Sequence, residues 1–539
     1  MNTSKSTRWT LFRFGFRQTL KGAAIVGLVS GVQLLVQGIA YQKAYSSAPK
    51  AAALAKSLAN APGLGFIYGD SHNLQYGTQG YMVYRVLGFM GVVTAVWALM
   101  TMTKMLRGAE EDGRFELIRV GTLTPRRATT LLVAGFAGAW WVALLISFAL
   151  TELAIKSGNI ATTSTAMWML NLAIFLPGLL FGGVGILTSQ LGLTRGRAIL
   201  YGIIPLAILF LIRGTANTSH DLHWLLSWTP FGWAQLISPV YNTDRVWVLV
   251  LAILAVVMGA IGIMLAQRDY GESIIHASTT VRSRFYLLKN AWAAALRQNF
   301  WILLGWTLGA LLVIGLIASL AHTAEGALEA SGSLSKAVNK LGGANNLEVA
   351  FMSAGVLFMV MILLVMSTAL IAQIRSDEAK QYLDNILVAP QKRTTWLIQR
   401  LLLGLGVVLT ISILGGLLLL TIASMQHISL NFARVIATSI CLTGSVAFLL
   451  GVGTLLYGLL PRLASIAMYA IIFWSFLITL LASAAQLSKW LLHSSVFYYT
   501  NFSLNQWPDW KTFSWFMVLA VMLSWVGIRA FARRDITPE

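Results

Sequence analysis

"RGAEEDGRFELI", residues 107–118, sets four acids and two arginines between two long apolar stretches, and a variant returns as "RSDEAKQYLDNI" at 375–386. Charge is otherwise scarce. Of 539 residues 57% are hydrophobic and only 11% charged, where a soluble protein has roughly 25% charged. Such a chain cannot cover a water-facing surface. Apolar runs of about 17–25 residues, enough to cross the hydrocarbon core as helix, predict twelve spans. These are 22–41, 82–103, 129–150, 166–190, 197–213, 246–266, 300–320, 348–374, 396–422, 432–458, 464–485 and 512–531.

A constant offset of 268 relates the two halves. Arg107 matches Arg375, Glu110 matches Glu378, Glu116 matches Asp384, Gly185 matches Gly453 and Tyr201 matches Tyr469. Arg17-Gln18 and Arg297-Gln298 precede the first helix of each half. Six helices per half return the chain to the same side, so the repeats are expected to be parallel, with a translocation path between them. The expectation is an all-α polytopic membrane protein. Its segments are an interfacial helix at 1–21, a first six-helix repeat at 22–266, a cytosolic linker with a second interfacial helix at 267–299, a second repeat at 300–531 and a tail at 532–539. "STRWTLFRFGFRQTLKG" has the alternation of a helix lying in the interface, or equally of an ordinary basic flank.

The net charge of +20 does not imply nucleic acid. With both termini inside, 26 of the 39 Lys and Arg residues fall on the cytosolic side, Arg126, Arg127, Lys392 and Arg393 among them. That is the positive-inside asymmetry. The single cysteine, Cys441, lies in an apolar run and excludes a disulfide framework or cysteine metal cluster. The first apolar run lacks a small-residue cleavage site and is expected to be a retained helix. No G-x4-G-K-[ST], H-E-x-x-H or G-x-S-x-G motif occurs, so the chain offers no nucleotide site or catalytic constellation. "HDLH" at 220–223 could bind a metal but lacks the ligands to complete a tetrahedron, and reads as an external turn.

The recurrence at one spacing asks more of 107–118 than a solvated turn. Arg107–Glu110 and Glu110–Arg114 are i,i+3 and i,i+4 pairs, fitting a short surface helix that displays fixed charges to a cytosolic partner. On the other side, "HWLLSWTPFGWAQLISPVYN" at 223–242 and "HSSVFYYTNFSLNQWPDW" at 493–510 are aromatic and broken by proline. Trp228, Pro230, Gly232, Trp233, Pro239, Phe497 and Tyr498 suit re-entrant elements in the outer leaflet, or an aromatic belt. Gln33 and Gln37, one turn apart, and Asn171 are mid-span amides that either line a path for a large apolar molecule or bond neighbouring helices.

"EEDGRFE" at 110–116 followed by "PRR" resembles the cytosolic loop of ABC-2-type exporter permeases, in particular the two-repeat subgroup of polyketide and polyether antibiotic exporters, the tetronasin-resistance type. "SWTPFGW", "ANAPGLGFIYG" at 59–69 and "DEAKQYLDNILVAPQKR" at 377–393 resemble further elements of that group, although Gln381 and Tyr382 replace the Gly-Arg pair. The resemblance implies that Arg107, Glu110, Glu111, Gly113, Arg114, Glu116, Arg375, Glu378 and Asp384 belong to coupling helices that dock two nucleotide-binding ATPase subunits. ATP and Mg would sit in those partners, with no cofactor in this chain. It implies export of hydrophobic or amphipathic drug-like compounds across a bacterial cell membrane, although related permeases export lipids or polysaccharides. A twelve-helix proton-coupled transporter is the rival: Gly108, Asp112, Gly113 and Arg114 approach its G-x3-D-x2-G-R loop without the two-residue spacer. Such transporters bury ionisable groups mid-membrane. Here Arg85, Glu152, Arg213, Asp244 and Arg434 fall near predicted span ends, where snorkelling would suffice.

Overall fold

The computed structural model describes residues 2–44, 49, 51–52, 56, 65–66, 68–119, 123–158, 160, 162–218, 220–237, 245–268, 271–275, 290–319, 321, 347–379, 392–484, 488–500 and 502–534. Among these there are helices and turns and no strand. Among the described residues twelve long helices occur in chain order. They are α1 (Asn2–Ala44), α2 (Ser71–Glu111), α3 (Pro125–Gly158), α4 (Ser164–Leu191), α5 (Arg195–Ala216), α6 (Arg245–Leu265), α7 (Ala291–Ser319), α8 (Leu347–Ala379), α9 (Arg393–Met425), α10 (Phe432–Leu459), α11 (Ala464–Ala484) and α12 (Trp510–Arg533). Eleven are long and apolar enough to cross a bilayer, and α11 contributes a shorter apolar stretch, Ala464–Thr479. Every predicted span coincides with one of them, in an all-α polytopic membrane protein.

The chain divides into two compact units, Met1–Arg282 and Ser283–Glu539, with the division inside the polar join. Within the first unit α1 lies along α3. A Cβ on Gly15 would stand 2.9 Å from the Leu132 carbonyl oxygen, and one on Gly27 2.5 Å from that of Ala143. The contacts rise together along both helices, so α1 and α3 run parallel, as odd-numbered spans must. The even-numbered spans do likewise, with Gly178 against Thr94, Gly185 against Met102 and Gly183 against Ala255. In the second unit Gly444, Gly451 and Gly458 of α10 meet Phe513, Ala520 and Gly527 of α12. Gly183 and Gly451, 268 apart, do the same work: an added Cβ would lie 2.6 and 2.8 Å from a carbonyl oxygen of the sixth helix of its own unit. Between helices in lipid, attraction comes from close packing and not from water exclusion, so small residues stand at the seams.

The segment expected as an interfacial helix at 1–21 runs straight into the first span, and 269–270 and 276–289 of the expected linker and second interfacial helix lie outside the described residues. Residues 2–44 form one uninterrupted helix, about 64 Å long at 1.5 Å per residue, and Ala291–Ser319 is likewise continuous. In α1 the cause is the glycine seam, which continues into the basic segment: a Cβ on Gly135 would stand 2.6 Å from the Phe12 carbonyl oxygen and the Phe16 nitrogen. That seam holds 12–16 against α3, while Arg13 and Arg17 face outward.

Proline inside α4 is accommodated by neighbours. Pro177 removes one helical hydrogen bond. In the turn before it the Ile174 carbonyl accepts from Thr94 Oγ1 at 2.8 Å, and that of Phe175 from Trp140 Nε1 at 3.0 Å. These bonds tie the turn that leads into the proline to α2 and α3.

Candidate functional site

The charged loop begins as the end of α2. A π-turn at Lys104–Gly108 rotates the last turn so that Arg107 and Glu110, three residues apart, both point into the unit. The helix stops at Glu111, and Gly113 turns the chain with φ +72°, a left-handed conformation that glycine adopts without strain. A short helix, Arg114–Arg119, follows. The predicted single surface helix over 107–118 is therefore two helical pieces around a glycine turn.

Glu110 is not displayed. Its side chain is 9% exposed and Arg107 only 2%. The carboxylate accepts from Arg107 Nη1 at 2.9 Å, from Arg268 Nη1 and Nη2 at 2.8 and 2.5 Å, and from the Gly271 backbone at 2.8 Å. Arg107 also donates to the carbonyls of Leu193, Gly271 and Glu272, and Arg268 to Gln190 Oε1 at 3.0 Å. The end of α2, the α4–α5 turn and the segment after α6 are thereby joined. Glu111 is exposed but tied: its carboxylate accepts from the Arg195 backbone N–H at 2.8 Å, at the N-terminus of α5 where negative charge is favoured. What remains facing outward is Asp112, ion-paired to Arg114, together with Glu116 and the free edge of Glu111.

The second unit repeats the device with different chemistry. Glu378 is fully buried and accepts from Tyr457 Oη at 2.6 Å and Arg534 Nη2 at 2.7 Å, while Arg375 approaches to 3.8 Å. Arg534 also lies over the Tyr457 ring at 5.0 Å. The next residue back, Asp377, pairs with Arg400 at 3.6 Å, and Arg400 bonds Gln298 and stacks on Trp396. Asp384 lies outside the described residues.

In each unit, then, a glutamate ending the second helix is held by an arginine just beyond the sixth. Sequence reasoning singled out the glutamates and missed Arg268 and Arg534 as their partners. The signal was present in "AQRD" at 266–269 and "ARRD" at 532–535, at an offset of 266 and so out of register with the rest.

At the opposite end of the first unit the aromatic loop folds into two short helices, His220–Trp228 and Pro230–Leu236. Thr229 caps the second by accepting from the Gly232 N–H at 3.0 Å, and Pro230 opens it. Phe231 stacks on Phe181 of α4 and Trp233 on Trp247 of α6, whereas Trp228 is exposed. Arg213 does not snorkel. It is 1% exposed, and its guanidinium donates to Gln235 Oε1 and to the carbonyls of Phe66 and Tyr68. In the second unit Lys489–His493 and Val496–Tyr499 are the corresponding short helices, with Phe497 buried and Tyr498 exposed against His493. Pro239 lies outside the described residues. Of the mid-span amides, Asn171 is fully buried, bonded to Ser147, Thr151 and the Met167 carbonyl. Gln33 and Gln37 are half-buried on α1.

Residues 288–532 match the family described as "Multidrug efflux system permease Rv1217c, C-terminal domain". The chain is also 24% identical over 496 residues to the multidrug efflux system permease protein Rv1217c of Mycobacterium tuberculosis, a match that covers 90% of this chain and 87% of the relative. With the many apolar helices, these likenesses support an exporter permease, a multi-pass membrane transport subunit.

Proposed function

We propose that the chain is the permease subunit of an ATP-binding-cassette exporter of the ABC-2 type, in the two-repeat tetronasin-resistance subgroup. It moves hydrophobic or amphipathic drug-like compounds out through a bacterial cell membrane, with both termini cytosolic. One observation supports this above the others. The charged loop is anchored from behind by the buried Arg107–Glu110–Arg268 cluster, leaving Glu111, Asp112, Arg114 and Glu116 outward around the Gly113 turn. A docking element needs that combination, because force from a partner passes into the helices only through an attachment that does not yield. Glu110 and Glu378 hold the loops in place, and the exposed residues around Gly113 meet the ATPase. With a second docking loop expected after Glu378, one chain calls for two ATPase subunits, which bind ATP and Mg themselves. The aromatic short helices at the opposite end are re-entrant elements, and Gln33 and Gln37 border the path.

The test is purification with a candidate ATPase. A one-to-two complex by native mass is expected, with efflux that requires ATP and survives collapse of the proton gradient over a short assay. Uphill transport by the chain alone in proteoliposomes, driven by a pH difference without ATP, would replace this reading with a secondary transporter.

A further inference from the structure

At the end of the first unit that carries the charged loop, a cleft of about 310 Å³ opens between α1, α2 and the start of α5. That is near the lower bound of volumes that hold an organic ligand. Its floor is apolar, formed by Gly22, Trp97 and Met100 of the spanning helices, and its mouth holds Gln18, Lys104 and Arg195. No acidic residue lines it. Arg195 Nε is buried with no hydrogen-bond partner, and Lys104 is exposed. The Glu111 carboxylate beside Arg195 bonds that residue's backbone and leaves the guanidinium to the cleft. Two cations above an apolar slot, where spanning helices meet the loop, form a receptor for an anion carrying a hydrocarbon tail. A basic pocket between spanning helices at a leaflet surface is a recurrent anionic-lipid site.

We propose that this cleft binds an anionic phospholipid of the adjoining leaflet, its phosphate between Lys104 and Arg195 and the start of an acyl chain over Trp97 and Met100. The site requires only that the helices span a bilayer and is independent of any ATPase. A bound lipid would wedge α1 and α5 against α2, whose last turn leads into the loop.

The experiment is native mass spectrometry of the full chain released from nanodiscs of phosphatidylglycerol and phosphatidylcholine mixed in equal parts. Selective retention of phosphatidylglycerol is expected. Replacing Lys104→Gln and Arg195→Gln together should lower it about thirty-fold, from roughly one kcal/mol per cation near a leaflet surface. Met100→Trp, which fills the slot and leaves both charges, should also lower it. Arg126→Gln with Arg127→Gln, which removes equal charge from the start of α3, should not, and it controls for general charge attraction. Equal uptake of both lipids by the wild type, or full retention by a well-folded Lys104→Gln/Arg195→Gln variant, would overturn the proposal. Displacement of the lipid by millimolar inorganic phosphate would reassign the site to a free anion and overturn it too.

Discussion

Replacing Glu110 by glutamine keeps the shape of the side chain and removes the charge that two arginines share. Arg107 and Arg268, 2% and 12% exposed, would then face each other across a neutral amide whose NH2 group cannot accept from either. Breaking a buried ion pair from one side costs about 3–5 kcal/mol. The lower end applies here, because Arg268 keeps Gln190 and Arg107 keeps its carbonyls. At about 1.36 kcal/mol per factor of ten, a loss of about 3 kcal/mol raises the open population of this corner about 150-fold. Hydrogen exchange reads that directly, since local opening sets amide protection. Peptides covering 105–116 and 266–275 should exchange faster together, while α3 and α4 stay protected. The control is Asp112→Asn, which breaks an ion pair whose partners are 51% and 43% exposed and should cost no more than about 1 kcal/mol. If Glu110→Gln exchanged no faster than Asp112→Asn in both peptides, the buried cluster would not be what holds the loop.

Charge reversal of the outward residues, Glu116→Lys with Arg114→Glu, should leave the protein monodisperse and its exchange pattern nearly unchanged, yet lower cargo-stimulated hydrolysis by a bound ATPase about tenfold; undiminished stimulation would remove these residues from the docking surface. Gly183→Leu and Gly451→Leu should each destabilise by about 1–3 kcal/mol through overpacking against the sixth helix of their unit, and thermal unfolding followed by tryptophan fluorescence should show similar losses for both. In a Cys441→Ser background, cysteines at Gln75 and Gln506, both exposed, should react with an impermeant thiol reagent in intact cells, and one at Asp112 should not; labelling of Asp112 would reverse the orientation. Asn171→Leu should cost about 1–2 kcal/mol, from interhelical bonds averaging about 0.6 each, with transport otherwise intact, whereas loss of transport in a stable variant would return Asn171 to the path.

Scarcity of charge determined the fold class by itself, because a chain with so little polar surface has to place its helices in lipid. Each predicted span proved to be a helix, and the offset of 268 that matched Gly185 with Gly453 also relates the seam glycines Gly183 and Gly451. These features are local, or repeat at one spacing, and so can be read along a line. That the basic segment 2–21 continues into the first span could not be read from charge alternation, which says what a helix tolerates, while Gly15 and Gly135 decide where it lies. Nor could sequence tell that the Arg-x2-Glu pattern faces inward. Glu110 and Arg268 are 158 residues apart, and Glu378 and Arg534 are 156 apart. A carboxylate is displayed or buried according to whether a cation reaches it. Only the folding of the sixth helix against its own unit brings that cation into place.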